Sequence, residues 1–412
     1  MKNNILVIAD DLTGANDTGV MFAENGFSTI LQVNSDYLHQ TDFSQAEVFT
    51  VSTDARPVGE KAVQLTKSAV EAGLQNGIEQ IYLKIDSTMR GSVAYQIEGA
   101  LQAWRLRYPD AKAVICPAYP EMGRTIEQGH LYVNGIPVHE TASGRDPICP
   151  VPSASMDKLL PQAEIISGFT SEQELQHMIT TSAATQLAVD AKTAQDLTLI
   201  ANVIAQLGNQ IIPVGSAGLA QVLKKSANKP ASHHSFALSR ALILVTSVHE
   251  ISQAQVDEYI ATTGGKTIVF SPHPSQLINA TISEPALKQQ LKALINCSKE
   301  NVIIRANPAK INAAGNINEI ARTISGYLAD LGKYCLDHAA FDTLILFGGD
   351  GAAALLARLP VYEMKILHAV VAGVPLCRIA GDTYQGLKVM TKSGGFGDKQ
   401  LLSNIMQQHS NK

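Results

Sequence analysis

The first apolar run of the chain ends abruptly in polar chemistry. In ILVIADDLTGANDTG (5–19), Asp10 and Asp11 follow the apolar residues directly, and Asn16 and Asp17 come soon after. Two more apolar runs end alike: VFTVSTDARP (48–57) delivers Asp54 and Arg56, and IYLKIDSTMRG (81–91) delivers Lys84, Asp86, Ser87, Thr88 and Arg90. Carboxylates accept hydrogen bonds from hydroxyls, and arginine grips a carboxylate with two parallel N–H groups. Such a set suits a small, polyhydroxylated, anionic ligand. Taken singly, these residues have plainer uses. Asp11 can cap a helix, and Arg90 can pair with Asp86. Three runs ending the same way favour a site.

The second half of the chain ends its apolar runs in glycine: FGGDGAAALL (347–356) and TKSGGFGDKQLL (391–402). Glycine lets backbone N–H groups approach a phosphate, and a following helix offers its positive end. A polyol-acid site in one half and a phosphate site in the other describe a kinase whose domains meet across a cleft. GDGAAA (349–354) also fits a dinucleotide-binding turn, so an NAD-dependent oxidoreductase of a hydroxy acid is the competing reading. A sugar-acid-binding homologue with weak catalysis is another. GGKT (264–267) is no P-loop, because Ile260 stands where glycine is needed. VGSAGLA (214–220) lacks the spacing of a nucleophile elbow.

Elements must hold these residues in place. Short β-branched runs alternate with helical periodicity, as in residues 59–76, where Val63, Thr66, Val70 and Leu74 share a face. A helix is expected from Val93 to its stop at Pro109. This rhythm predicts an α/β fold of two doubly wound domains with mainly parallel sheets. Ligands then belong beyond the carboxyl ends of the strands. Residues 117–153 interrupt the rhythm with an Asn134-Gly135 hairpin signal and a proline-rich stretch. The polar stretch 225–238 reads as a linker, giving domains 1–230 for the acid sugar and 231–412 for the nucleotide.

With 412 residues, 45% of them hydrophobic, and a net charge of −5, the chain is expected to be globular and not to bind nucleic acid. No run is long enough to span a membrane, and the N-terminus does not read as a secretory signal. Five scattered cysteines form no zinc spacing and fit a reducing cytoplasm. A homo-oligomer is left open.

The motifs VIADDLTGANDTG, KIDSTMRGS, CPAYPEMGRT with DPICPVPSAS, and GGDGAAALLARL…AGVPLCRIAG…GLKVMTKSGGFG together resemble the four-carbon acid sugar kinase family, from residue 5 to about 402. The resemblance implies ATP-dependent phosphorylation of the terminal hydroxyl of a four-carbon sugar acid. Asn16 makes it more similar to the D-threonate and D-erythronate kinases than to the 3-oxo-tetronate kinases. It implies acid-sugar contacts from Asp10, Asp11, Asn16, Asp54, Arg56, and the stretch Lys84, Ile85, Asp86, Ser87, Thr88 and Arg90. It implies ATP contacts from Ser247, Gly348, Gly349, Asp350, Gly351, Gly394, Gly395 and Gly397. Three positions depart from the family pattern. Thr246-Ser247-Val248-His249 replaces Gly-Ser-x-Ser, Gly351 replaces a threonine, and His368 replaces a glutamate.

The expected mechanism gives the sugar carboxylate to Arg56, Lys84 or Arg90 and the hydroxyls to Asp10 and Asp11. Asp11 or Asp86 accepts the proton of the attacking hydroxyl. Mg2+ is expected to ride on phosphate oxygens and water, since Asp350, Asp382 and Asp398 are the few acids near the glycine loops.

Overall fold

The computed structural model describes residues 4–224, 236–264, 266–278, 284–296, 300–305, 307, 317–381 and 383–409. Most of the expected linker, together with Cys297 and Asp382, lies outside them. The chain divides into two compact units, Met1–Ala231 and Ser232–Lys412.

The first unit contains strands β1 (Ile5–Ala9), β2 (Thr29–Gln32), β3 (Val48–Ser52), β4 (Gln80–Lys84) and β5 (Lys112–Cys116). A small antiparallel sheet follows, of β6 (Arg124–Glu127), β7 (His130–Val133) and β8 (Ile136–Pro137). The Asn134-Gly135 turn between its last two strands has both residues at positive φ, +52° and +79°, as a tight hairpin of this hand requires. Then come β9 (Ala163–Ile166), β10 (Gln186–Val189) and β11 (Ile211–Gly215).

The main sheet of this unit runs β2-β3-β1-β4-β11-β5-β10-β9, and every pair in it is parallel. Its inner strands, such as β3 and β11, are buried on both faces, which is why they read as unbroken apolar runs rather than alternating ones. The chain leaves β1 toward β3 and returns to the other side of β1 as β4. This reversal of winding opens a crevice at the carboxyl end of β1. The helix expected to reach Pro109 ends earlier, at Trp104. That side chain is fully buried, and its indole N–H donates to Asn209 O at 2.9 Å.

The second unit contains β12 (Ala241–Val245), β13 (Thr267–Phe270), β14 (Asn301–Arg305), β15 (Thr343–Phe347), β16 (Glu363–Val371), β17 (Val374–Ala380) and β18 (Lys388–Lys392). Strands β13-β14-β12-β15-β18 are parallel, and β17 then pairs antiparallel with both β18 and β16. Here winding reverses at β12. Among the described residues no helix is long and apolar enough to cross a membrane.

Candidate active site

Asp10 directly follows β1 and has no exposure at all. Burial pushes its carboxyl up, even beside Arg56. Arg56, from the turn after β3, donates Nε–H to Asp10 Oδ2 at 2.6 Å and Nη2–H to Oδ1 at 3.0 Å. Its Nη1 reaches Asp11 Oδ2 at 2.7 Å. The turn carrying Arg56 begins at Asp54, an exposed residue at φ +50° whose carboxylate accepts from Ser52 Oγ at 2.7 Å. It is fixed at its far side by Ser92, whose N–H and Oγ–H both donate to Arg56 O, at 3.0 and 2.8 Å.

Asp11 caps the helix Leu12–Glu24, accepting from Gly14 N–H at 2.7 Å. So the plain reading of Asp11 is structurally true, but it leaves unused lone pairs on a carboxylate that is partly exposed. The plain reading of Arg90 is true as well. Nε and Nη2 grip the two oxygens of Asp86 at 2.9 Å each, and Nη1 reaches Asp146 at 3.1 Å. Thr88 Oγ also donates to Asp86. Burial alone would raise the Asp86 carboxyl, but Arg90, Arg56 and Thr88 overcome it and hold it well below the ordinary carboxylate range. That makes Asp86 a poor proton acceptor and a firm anchor for Arg90.

Lys84 ends β4, almost fully buried. Its ammonium rests against Gly14, where an added Cβ would come within 2.7 Å of both Lys84 Nζ and Asp11 Oδ1. Asn16 is buried on the same helix. Ile85 belongs to the hydrophobic core, and its N–H donates to Gly215 O at 2.9 Å, so its side chain does not line the crevice. Ser87 is half-buried and Thr88 buried. The structure thus gathers the ends of β1, β3 and β4 at one place, as the three-run pattern predicts.

Two further acids stand here: Asp146, which the sequence reading did not single out, and Asp17, which it noted after Asp11 without assigning it to the site. Asp146, in the proline-rich stretch, accepts from Arg90 and from Ile148 N–H and Cys149 N–H at 2.9 Å each. Asp17 lies one turn beyond Gly14, with a buried Oδ1 that has no partner among the described residues. Burial pushes its carboxyl up to about 7, against the pull of Lys84. Its helical spacing from Asp11 and Gly14 was the available signal.

In the second unit, β12 is followed by Thr246 and Ser247, whose N–H groups both donate to Phe347 O, at 3.0 and 3.1 Å. Gly348, at φ +105°, caps the helix Gly349–Leu356, with Asp350 exposed in its first turn. Gly394, Gly395 and Gly397 follow β18, and Ser247 Oγ and His249 Nε2 lie against the first two of these. The dinucleotide reading of GDGAAA fails on topology. It needs the strand after the helix to lie directly beside β15, and the next strand, β16, is separated from β15 by β18 and β17. Among the described residues no group of three or more His, Cys, Asp or Glu could hold a metal ion.

Two family models cover nearly all of this chain. A sugar-binding N-terminal domain matches residues 5–223, and a nucleotide-binding C-terminal domain matches 242–402. The D-threonate kinase of Bordetella bronchiseptica is 33% identical, over 97% of this chain and 96% of its own. The chain belongs to the four-carbon acid sugar kinase family. The D-erythronate kinase of Heliobacterium modesticaldum is 26% identical over 96% of this chain and 94% of its own. A Bordetella bronchiseptica crystal structure, a domain-swapped dimer with bound citrate, is 32% identical with a TM-score of 0.51, covering 99% of each chain.

Two of the departures from the pattern of the four-carbon acid sugar kinases explain each other. A Cβ added at Gly351 would lie 2.0 Å from Thr246 Oγ1, which itself donates to Phe347 O at 3.1 Å. The Thr246 side chain therefore fills the space that a threonine at 351 would need. The third departure, His368, is buried within β16, with Phe236 at 6.5 Å between ring centroids.

Two predictions follow from this geometry. A carboxyl that ionises at 3.8 unfolded and at about 7 folded keeps more protons in the folded state between those values. Its contribution to stability falls as pH rises through that window and is flat above it. Urea unfolding should show Asp17→Asn gaining on the wild type by roughly 1 kcal/mol per pH unit from pH 4 to 7. A pH-independent difference would mean Asp17 is ionised throughout. Separately, Gly351→Thr should lower stability by about 1–3 kcal/mol through overpacking, and adding Thr246→Gly should recover most of that loss. Additive losses in the double variant would disprove the exchange.

Proposed function

We propose that this protein transfers a phosphoryl group from ATP to the terminal hydroxyl of a four-carbon sugar acid, D-threonate or D-erythronate. The enzyme class, a phosphotransferase with an alcohol group as acceptor, follows from family membership. The observation that carries the substrate reading is the crevice at the end of β1. There Asp10 and Asp86 hold Arg56 and Arg90, while Lys84 stands beside Asp11.

Each group then has a task. Arg56 keeps N–H groups beyond the three bonded to Asp10 and Asp11, and with Arg90 and Lys84 it receives the sugar carboxylate. Asn16, Asp54, Ser87 and Thr88 surround the hydroxyls. Asp11 accepts the proton of the attacking hydroxyl. It is favoured over Asp86, which two arginines hold ionised at low basicity. Asp10 works through Arg56. Ser247, Gly348, Gly349, Asp350, Gly351, Gly394, Gly395 and Gly397 would hold the nucleotide. Mg2+ would be carried mainly on its phosphates and would neutralise the charge that develops in transfer. The reading places the enzyme in the cytoplasm, where ATP is available. The dimer of the Bordetella relative supports a homo-oligomer.

Purified protein with ATP, Mg2+ and each of D-threonate, D-erythronate, L-threonate and glycerate should release ADP only with a four-carbon acid. Acid binding without ADP release would instead mark a sensor, and NADH formation from NAD+ an oxidoreductase. Asp11→Asn should lower kcat/KM by about 10²–10⁴-fold. Unchanged turnover in that variant would remove Asp11 from the site.

A further inference from the structure

Lys392 ends β18 and is 2% exposed. Among the described residues no carboxylate pairs with it. Its ammonium donates instead to backbone carbonyls, at 2.7 Å to Ser393 O, 3.0 Å to Phe396 O and 3.2 Å to Gly394 O. It also reaches Ser252 Oγ at 3.3 Å and stands 4.8 Å from the centroid of the Phe347 ring. Two buried side chains of the helix Glu250–Thr262 assist. Ser252 Oγ donates to Gly394 O at 2.6 Å, and Gln255 Nε2 donates to Phe396 O at 3.0 Å and Asp398 O at 2.7 Å.

A buried ammonium without a counter-ion is costly, so its presence calls for a reason. The planar trans peptide supplies one. The C=O of one residue and the N–H of the next point in opposite directions. Drawing the carbonyls of Ser393, Gly394 and Phe396 inward turns the N–H groups of Gly394, Gly395 and Gly397 away from the ammonium. Among the described residues none of these three N–H groups donates to a protein acceptor. Successive outward N–H groups make an anion-binding concavity, and a positive charge buried behind them strengthens its field.

We propose that Lys392 is the positioning residue of the nucleotide's phosphate loop, holding three glycine amides outward as donors for the terminal phosphates. The inference rests on the kinase reading and adds to it a residue that never touches the substrate. Lysine suits the task because its ammonium distributes three donors around a point, whereas a flat guanidinium would address one plane. Burial lowers the Lys392 ammonium to about 8, which agrees with its lack of a carboxylate partner.

The test is Lys392→Met, with Ser252→Ala as a gentler second variant, using ADP as the probe. Isothermal titration should show ADP binding weakened about tenfold or more in Lys392→Met and about threefold in Ser252→Ala. The KM for ATP should rise in parallel, while the KM for the sugar acid stays within about twofold. A folded Lys392→Met that binds ADP within twofold of the wild type overturns the inference and leaves the kinase reading intact. If Lys392→Met does not fold, Ser252→Ala decides by the same comparison. Wild-type protein that binds no ADP overturns the nucleotide reading and the inference with it.

Discussion

Arg56 and Asp10 meet through two parallel hydrogen bonds of 2.6 and 3.0 Å, with the carboxylate wholly removed from water. Removing Arg56 would leave Asp10 as an uncompensated buried charge, a loss of several kcal/mol. That asymmetry fixes more than the pair. Arg56 can reach Asp10 only if the turn after β3 folds back over the end of β1. The turn is held there by Ser92, which follows β4. Three strand ends are thereby locked together before any ligand arrives.

The cations of this crevice are consequently not interchangeable. Arg56 and Arg90 each spend the Nε–Nη2 edge of the guanidinium on one protein carboxylate and reach a second through Nη1, which sets the plane in which their remaining N–H groups can act. Lys84 has no such clamp; it is confined by the absence of a side chain at Gly14 and by the charges of Asp11 and Asp17. Two rigid forks and one compact point charge would suit, on the proposed reading, a carboxylate together with hydroxyls at set positions. They would do so at low entropic cost, because the forks are already in place.

Much of this was legible in the sequence. Parallel strands buried on both faces announce themselves as apolar runs, and the residue types that follow each run name the chemistry at its carboxyl end. Asp10, Asp11, Arg56, Lys84 and Arg90 were readable for that reason. Which of them face a ligand and which face each other was not, because a bidentate pair between residues 46 positions apart leaves no local trace. Asp146 was hidden for the same reason, in a loop with no periodicity. Lys392 escaped notice beside glycines that drew attention to themselves, since a lysine after a strand reads first as surface charge.

The nucleotide half solves the problem of buried charge in the opposite way. Its ammonium is met by carbonyl dipoles rather than by carboxylates, so the chemistry it offers outward is backbone N–H. A site built from main chain depends on where the chain runs, and side chains may exchange around it as long as the path is kept. At Thr246 and Gly351 the threonine hydroxyl fills the space beside the helix Gly349–Leu356 while donating to Phe347 O. The acid-sugar crevice has no such freedom, because its recognition atoms are side-chain atoms fixed by one another. The departures from the family pattern, at Thr246–His249, Gly351 and His368, all lie in the second unit.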